Sequence, residues 1–458
     1  MAAIQSSDYG TISYLINGPP GTGKTKTTVE AVAQLANDPG FSGSILVCAP
    51  SDQAADTLAL RLKAYFAPPA MFRLNEFSRT FAEVPQELLP YCYIEKNIFS
   101  LPPFNVLMEF KVVVTTCQGA EMLVKARLTN RDLVSSIIHG RSLVNNRTDD
   151  GYFQASLVSN TLTTIYPTLQ SPQNNHLHWA ALFVDEAAQA TEPEVLIPLS
   201  VVAPNASITC DSGPIFVMAG DQFQLGPRVY ERVQTTLHIS LFERLSERPI
   251  YASHVTARRN RTLKAPGSKV LIPPFVDLIR NYRSHPAILA VPSAAFYHNS
   301  LVPEATQTES LLSWRCWQGR GWPVLFSCNG GVDDCENILN GSAGWYNSRE
   351  ANKAIEYAQD LLKSQPLTAA DICIMSPFRS QVNFLRQIAR SRGLWELNIG
   401  PMEAFQGLES RVVIICTTRA RSRFLAEDAL RGVSDPLPYA QDYNMCTCPN
   451  FTSISRLA

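Results

Sequence analysis

The chain has no apolar run of the about 18 residues that a membrane span needs, and its first residues lack the charged and apolar regions of a signal peptide. Its formal net charge is −1, so any groove for a polyanion has to be local. The 11 cysteines form no C-x-x-C pair, which is typical of reduced thiols rather than of a zinc site or a disulfide framework. These absences predict a soluble, cytoplasmic protein.

What is present is a repeating pattern of short apolar runs and helix-like segments in 458 residues, 45% of them hydrophobic. This pattern predicts doubly wound α/β domains with central parallel sheets. The predicted strands are residues 14–16, 44–48, 112–115, 181–184, 215–219, 324–327, 371–376 and 412–417. The predicted helices are residues 27–36, 53–65, 118–125, 348–363 and 379–391.

The pattern starts again in the second half of the chain, which predicts two tandem α/β domains. We expect a first domain at 1–250, a basic linker or insertion at 251–273 and a second domain at 274–458. Residues 132–176, which contain neither Lys nor Glu, form either an irregular insertion or a gene-model artefact. The acid-free residues 253–271 are expected to be a solvated basic loop rather than a phosphate contact.

A phosphate-binding loop follows the first predicted strand. The run fits G-x-x-x-x-G-K-[ST], whose backbone N–H groups surround the phosphates of a nucleoside triphosphate at the start of a helix. The lysine of this run is expected to reach the β- and γ-phosphates, and the final threonine to offer its hydroxyl to Mg²⁺. The eight residues are Gly18, Pro19, Pro20, Gly21, Thr22, Gly23, Lys24 and Thr25.

Two further predicted strands end in polar residues suited to nucleotide hydrolysis. Asp185 and Glu186 follow the strand at 181–184, where Asp185 is expected to hold Mg²⁺ and Glu186 to activate the attacking water. Gln222 follows the strand at 215–219 and suits a γ-phosphate sensor. Arg283, which opens the second α/β pattern, is a candidate arginine finger.

With these elements in this order, the chain resembles the superfamily 1B RNA helicases, over about residues 12–130, 178–250 and 274–432. The acidic run 185–194 is most similar to the RNA-silencing branch, which contains the Armitage-like and Moloney-leukaemia-virus-10-type helicases. The resemblance implies two RecA-like domains that use ATP and Mg²⁺ to move on or remodel single-stranded RNA, in a monomer with RNA-silencing or decay proteins as candidate partners.

The same resemblance assigns further residues. The runs 49–56 and 115–120 are similar to the family's motifs Ia and Ib, and 403–409 is similar to its motif V. In the family these motifs contact the nucleic-acid backbone or link it to the nucleotide. Tyr282 is implied to stack on adenine and Glu409 to act at the nucleotide. The implied nucleic-acid contacts are Pro50, Ser51, Thr115, Thr116, Pro377 and Gln406.

The sequence also departs from the family pattern. The glutamine motif and accessory barrel before the phosphate loop are missing, and after Gly432 no motif VI supplies a second arginine finger. This predicts a truncated helicase or a fragmentary gene model that binds ATP but unwinds duplexes poorly. Two alternatives remain. One is a catalytically impaired nucleotide- or RNA-binding remnant. The other is a DNA-directed superfamily 1 helicase, since the motifs alone do not distinguish ribose from deoxyribose.

Overall fold

The computed structural model describes Ile4 and residues 12–133, 177–204, 213–229, 236–263, 272–317, 321–328, 332–337, 343–405, 408–419 and 451–455. The predicted insertion therefore lies outside the described residues from 134 to 176, as do residues 264–271 of the basic segment. The chain divides into two compact units, Met1–Ile279 and Arg280–Ala458. The predicted domain limits stay a prediction.

The first unit is built on a seven-stranded parallel sheet with the strand order β3-β6-β2-β7-β8-β1-β9. A small antiparallel hairpin, β4–β5, stands apart from it. The strands are β1 Tyr14–Asn17, β2 Ser44–Ala49, β3 Met71–Arg73, β4 Ile94–Glu95, β5 Ile98–Phe99, β6 Val112–Thr116, β7 Trp179–Val184, β8 Ile215–Gly220 and β9 Phe275–Asp277. The helices are α1 Lys24–Ala36, α2 Asp52–Leu62, α3 Phe104–Leu107, α4 Glu121–Lys125, α5 Glu192–Val202, α6 Leu241–Ser246 and α7 Pro249–Ala252.

Both faces of this sheet are covered, which explains why its central strands are continuous apolar runs. Every residue of β2 is buried. Leu46 and Cys48 belong to the core on one face, whereas Ile45 and Val47 belong to the core on the other. Because all seven strands run in one direction, the loops after them meet at one edge of the sheet.

The second unit contains a five-stranded mixed sheet with the order β12-β18-β17-β15-β16, in which β15, β16 and β17 are parallel and β18 is antiparallel to β12 and β17. The two pairs β10–β11 and β13–β14 stand apart from it. The strands are β10 Arg280–Asn281, β11 Val302–Pro303, β12 Val324–Cys328, β13 Asp334–Asn337, β14 Ala343–Tyr346, β15 Ile372–Ser376, β16 Asn398–Pro401, β17 Val412–Cys416 and β18 Phe451–Ser455. The helices are α8 Pro286–Phe296, α9 Ser348–Ser364 and α10 Arg379–Ser391.

Helix α9 shows how the sequence specifies this unit. Asn347 caps its start by accepting a hydrogen bond from the Glu350 backbone N–H at 3.0 Å. Ala351, Ile355 and Ala358 recur at helical spacing and are fully buried in the core of the unit.

The predicted α/β class with central parallel strands is confirmed, and each predicted strand appears within one or two residues of its expected limits. Two predicted helices are shorter than expected. The helix predicted at 118–125 begins at Glu121, because the Gly119 N–H donates to the Thr116 hydroxyl at 2.7 Å and forms a turn. The helix predicted at 53–65 is Asp52–Leu62, capped by Ser51. No helix in the described part of the chain is long and apolar enough to cross a membrane.

Candidate functional site

The phosphate loop lies between β1 and α1, as predicted. Gly21 and Gly23 have φ values of 73° and 85°, in the left-handed region that favours glycine. Helix α1 begins at Lys24 with no side-chain cap, so its first N–H groups are available to an anion. A Cβ on Gly18 would lie 2.1 Å from Lys24 Cγ, so the lysine stem crosses directly over this glycine.

The two predicted acids follow β7 and face this loop. Lys24 Nζ lies 3.9 Å from Glu186 Oε1, and both side chains are mostly buried. The Thr25 hydroxyl lies close to the Asp185 carboxylate, where it favours the ionised form of Asp185. The structure thus brings together the four residues Lys24, Thr25, Asp185 and Glu186 from two separate parts of the sequence.

Asp185 has the surroundings of a cation ligand. It is 2% exposed, and its Oδ1 has no hydrogen-bond partner among the described residues. Burial, together with the adjacent Glu186 carboxylate, raises the pKa of Asp185 to about 6. A buried carboxylate oxygen without a donor, next to a threonine hydroxyl, fits the oxygen ligands that Mg²⁺ prefers.

Glu186 is held by contacts that the sequence does not reveal. Its backbone is left-handed, with φ 51° and ψ 35°, which is costly for a residue with a side chain. Gln189, three residues later, donates to Glu186 Oε2 at 3.0 Å. Gly220 lies so close to this turn that a Cβ there would be 3.1 Å from the Ala188 backbone nitrogen. Gln189 therefore orients the carboxylate expected to activate water.

Gln222 lies in the loop after β8. In the sheet order this loop lies between the phosphate loop and the turn at residues 185–189, which we call the acid turn. The Gly18 N–H donates to the Gly220 carbonyl at 3.0 Å, which fixes this loop beside the phosphate loop. Gln222 is exposed, and its Oε1 accepts a hydrogen bond from the Ser246 hydroxyl of α6. The predicted γ-phosphate sensor thus lies at the same sheet edge as the other nucleotide residues.

A carboxylate on β9 anchors the other side of the phosphate loop. Asn17 Nδ2 donates to Asp277 Oδ1 at 2.9 Å, and the Arg258 backbone N–H donates to Asp277 Oδ2 at 2.7 Å. Arg258 also donates to the Leu278 carbonyl, and Arg259 to that of Ala252. These bonds attach the two arginines to backbone carbonyls of the first unit while Arg259 remains exposed, so the solvated basic loop stays a prediction.

The predicted nucleic-acid contacts of the first unit follow β2 and β6, which are neighbours in the sheet. Ser51 caps α2 by accepting from the Ala54 N–H at 3.3 Å, and Pro50 precedes it. Thr115 and Thr116 end β6 and are buried, with the Thr116 hydroxyl already accepting from the Gly119 N–H. The phosphate contacts of these four residues stay a prediction.

In the second unit, the structure pairs two of the predicted residues. Arg283 Nη2 donates to Glu409 Oε1, although they are 126 residues apart in the sequence. Tyr282 is 57% exposed, as a stacking residue requires, and Pro377 directly follows β15. Gln406 lies outside the described residues.

The comparisons with known proteins agree with this architecture. Two family models, each described as an AAA domain, match residues 1–84 with 140–232 and residues 237–433. Human RNA helicase Mov10l1 is 32% identical over 93% of this chain and 30% of its own length. The chicken putative helicase MOV-10 is 30% identical over 91% of the chain and 39% of its own length. The probable RNA helicase armi of Drosophila melanogaster is 27% identical over 91% of the chain and 32% of its own length.

Among solved structures, the arterivirus nonstructural protein 10 helicase in complex with DNA matches with a TM-score of 0.29 at 15% identity, covering 66% of this chain and 43% of that one. The chain spans about a third of the length of the curated relatives it matches. Those relatives match over 91% to 93% of this chain. The chain therefore carries two AAA domains that together cover most of it, and it is similar to the helicases of the group that contains the Mov10l1, MOV-10 and Armitage proteins.

Proposed function

We propose that this chain is the ATP-hydrolysing core of an RNA helicase, which couples ATP hydrolysis to movement on or remodelling of single-stranded RNA in the cytoplasm. The observation that carries the proposal is the convergence of Lys24, Thr25, Asp185 and Glu186 at one edge of the sheet in the first unit. The relatives are named as RNA helicases or helicases, which supports RNA as the substrate.

Each residue of the site has a distinct task in this proposal. When ATP enters, Lys24 leaves Glu186 and pairs with the phosphates, while backbone N–H groups of the loop and of the first turn of α1 hold the phosphate oxygens. Thr25 and Asp185 are the residues that would hold Mg²⁺, which when bound neutralises charge on the phosphate oxygens. Glu186, freed from the lysine and oriented by Gln189, accepts the proton of the attacking water.

The remaining residues are proposed to connect the nucleotide to the strand. Gln222 senses the γ-phosphate, Tyr282 stacks on adenine, and Arg283 with Glu409 acts on the nucleotide. Backbone N–H and hydroxyl groups hold the phosphates of a single strand without reading its sequence, as is usual for single-strand binding. The residues proposed for that contact are Pro50, Ser51, Thr115, Thr116, Pro377 and Gln406. RNA silencing or RNA turnover is the proposed process, with proteins of those processes as partners.

Steady-state ATP hydrolysis, measured with and without a single-stranded RNA, tests the proposal. We expect RNA to stimulate hydrolysis, and Lys24→Ala to abolish both hydrolysis and the thermal stabilisation by ATP. Lys26→Ala, which removes an exposed lysine two residues away, is the matched control and should leave both unchanged. Competition with DNA of the same sequence distinguishes an RNA-directed from a DNA-directed enzyme. ATP binding without RNA-stimulated hydrolysis would contradict the proposal.

A further inference from the structure

Two arginines and two aspartates form an ionic cluster beneath the first turns of α2, next to Ser51, in which only Asp52 is half-exposed. Arg73 ends the edge strand β3 and is nevertheless only 1% exposed. Its Nε donates to Asp56 Oδ1 at 3.0 Å, and its Nη2 donates to Asp52 Oδ1 at 2.9 Å. Because these aspartates lie four residues apart, one guanidinium group spans a full turn of α2.

Arg79, in the segment after β3, completes the cluster. Its Nη1 donates to Asp56 Oδ1 at 3.0 Å and to Asn75 Oδ1 at 2.7 Å, and its Nη2 donates to the Glu83 carbonyl at 3.0 Å. One side chain thus joins α2 to both ends of the segment 75–83. A lysine has a single ammonium group and cannot reproduce this set of contacts. We call the four residues Asp52, Asp56, Arg73 and Arg79 the α2 clamp.

The charges of the α2 clamp cancel, because two guanidinium groups face two carboxylates. The cluster is therefore poorly suited to attract phosphate itself. What it fixes is the position of the start of α2, where Ser51 caps the helix and the chain leaves β2. A buried charged network of this kind holds its members in one arrangement, since separating a partner leaves an unpaired charge.

We propose that Arg73 and Arg79 are positioning residues for single-strand binding, which hold Pro50 and Ser51 where a strand phosphate meets the start of α2. This inference rests on the proposed function and deepens it, because it assigns part of the affinity for the strand to residues that do not touch the strand. The phosphate loop follows β1, which lies three strands from β2 in the sheet order, so we expect ATP binding to change little when the α2 clamp is disrupted.

The test measures binding of a fluorescent 20-nucleotide oligouridine to the full chain by anisotropy. Arg79→Ala and Arg79→Lys should each raise the dissociation constant about tenfold, while ATP still raises the melting temperature as in the parent. Lys63→Ala is the matched control, because it removes one positive charge and an ion pair with Glu87 at the other end of α2. Its dissociation constant should equal that of the parent.

Each outcome decides a separate point. If the parent does not bind the oligouridine, the proposed function fails, and this inference fails with it. If the parent binds and Arg79→Lys binds as tightly, the positive charge acts directly on the strand and the positioning role is refuted. Equal weakening by Lys63→Ala would show a general charge effect and refute it as well. If ATP no longer raises the melting temperature of Arg79→Ala, Asp52→Asn, a change at a half-exposed position, is measured instead. Unchanged oligouridine binding by Asp52→Asn would refute the inference.

Discussion

Replacing Glu186 by glutamine should change ATP binding and ATP hydrolysis in opposite directions: binding should become tighter and hydrolysis slower. The carboxylate is the proposed base, and a glutamine keeps its size while removing its charge. The same carboxylate also pairs with Lys24 in the absence of nucleotide, at 3.9 Å. Glu186→Gln should therefore bind ATP more tightly than the parent and hydrolyse it far more slowly.

The structure sets the size of both effects. Two unit charges 3.9 Å apart attract by about 4 kcal/mol at an effective dielectric constant of about 20. Desolvation of the two mostly buried groups offsets most of this attraction, which leaves about 1 kcal/mol, or roughly a fivefold decrease in the Kd for ATP. Loss of a general base should lower kcat by about 10²- to 10³-fold.

Isothermal titration with a non-hydrolysable ATP analogue measures the first effect, and RNA-stimulated phosphate release measures the second. Glu30→Gln is the matched control, because it makes the same change at an exposed position of α1. It should alter neither quantity. An unchanged kcat in Glu186→Gln would refute the role of Glu186 as base, and a weaker Kd for ATP would refute the view that its pairing with Lys24 opposes nucleotide binding.

Three further predictions follow from the same unit. Gly18→Ala should abolish the rise in melting temperature that ATP produces, as Lys24→Ala does, because its Cβ would occupy the path of the Lys24 stem; an unchanged rise would contradict this. Asp277→Asn should raise the Kd for ATP about threefold in a titration. Adding Asn17→Ala to this variant should raise the Kd no further, because both substitutions remove the same hydrogen bond. A further rise in the double variant would contradict the role of this bond as an anchor. Burial lowers the pKa of His178 to about 4, so the unfolded state binds more protons between this value and about pH 6.5, and stability falls as the pH drops. Urea unfolding at pH 5 should therefore show about 2 kcal/mol less stability from this group than at pH 8, and His178→Gln should remove that part of the decrease.

The parts of the fold that sequence predicted well are those in which local pattern and burial agree. Strand β2 is buried throughout and reads as an apolar run. Strand β3 has only three residues, and it ends in an arginine, a residue type that is mostly exposed. Its charge is buried only because Asp52 and Asp56 are present on a different element. This compensation depends on the tertiary structure, and the sequence pattern alone does not show it.

The residues of the candidate site also differ in whether a local sequence pattern reveals them. The phosphate loop is a contiguous motif, so its backbone requirements are visible in the spacing of its glycines and lysine. The contact between Asn17 and Asp277 joins residues 260 apart, and no local pattern pairs them. Gln189 was visible in the sequence, but its role depends on the left-handed turn at Glu186, which is not a conformation that a glutamate predicts.

The close approach of Gly220 to Ala188 brings the backbone of the acid turn into direct contact with the loop at the end of β8. With no side chain between them, a displacement of either loop is transmitted to the other through the backbone. Glu186 lies two residues before Ala188, and Gln222 lies two residues after Gly220, so both flank this contact. If Gln222 is the proposed γ-phosphate sensor, this contact offers a direct path from the terminal phosphate of the nucleotide to the proposed base Glu186.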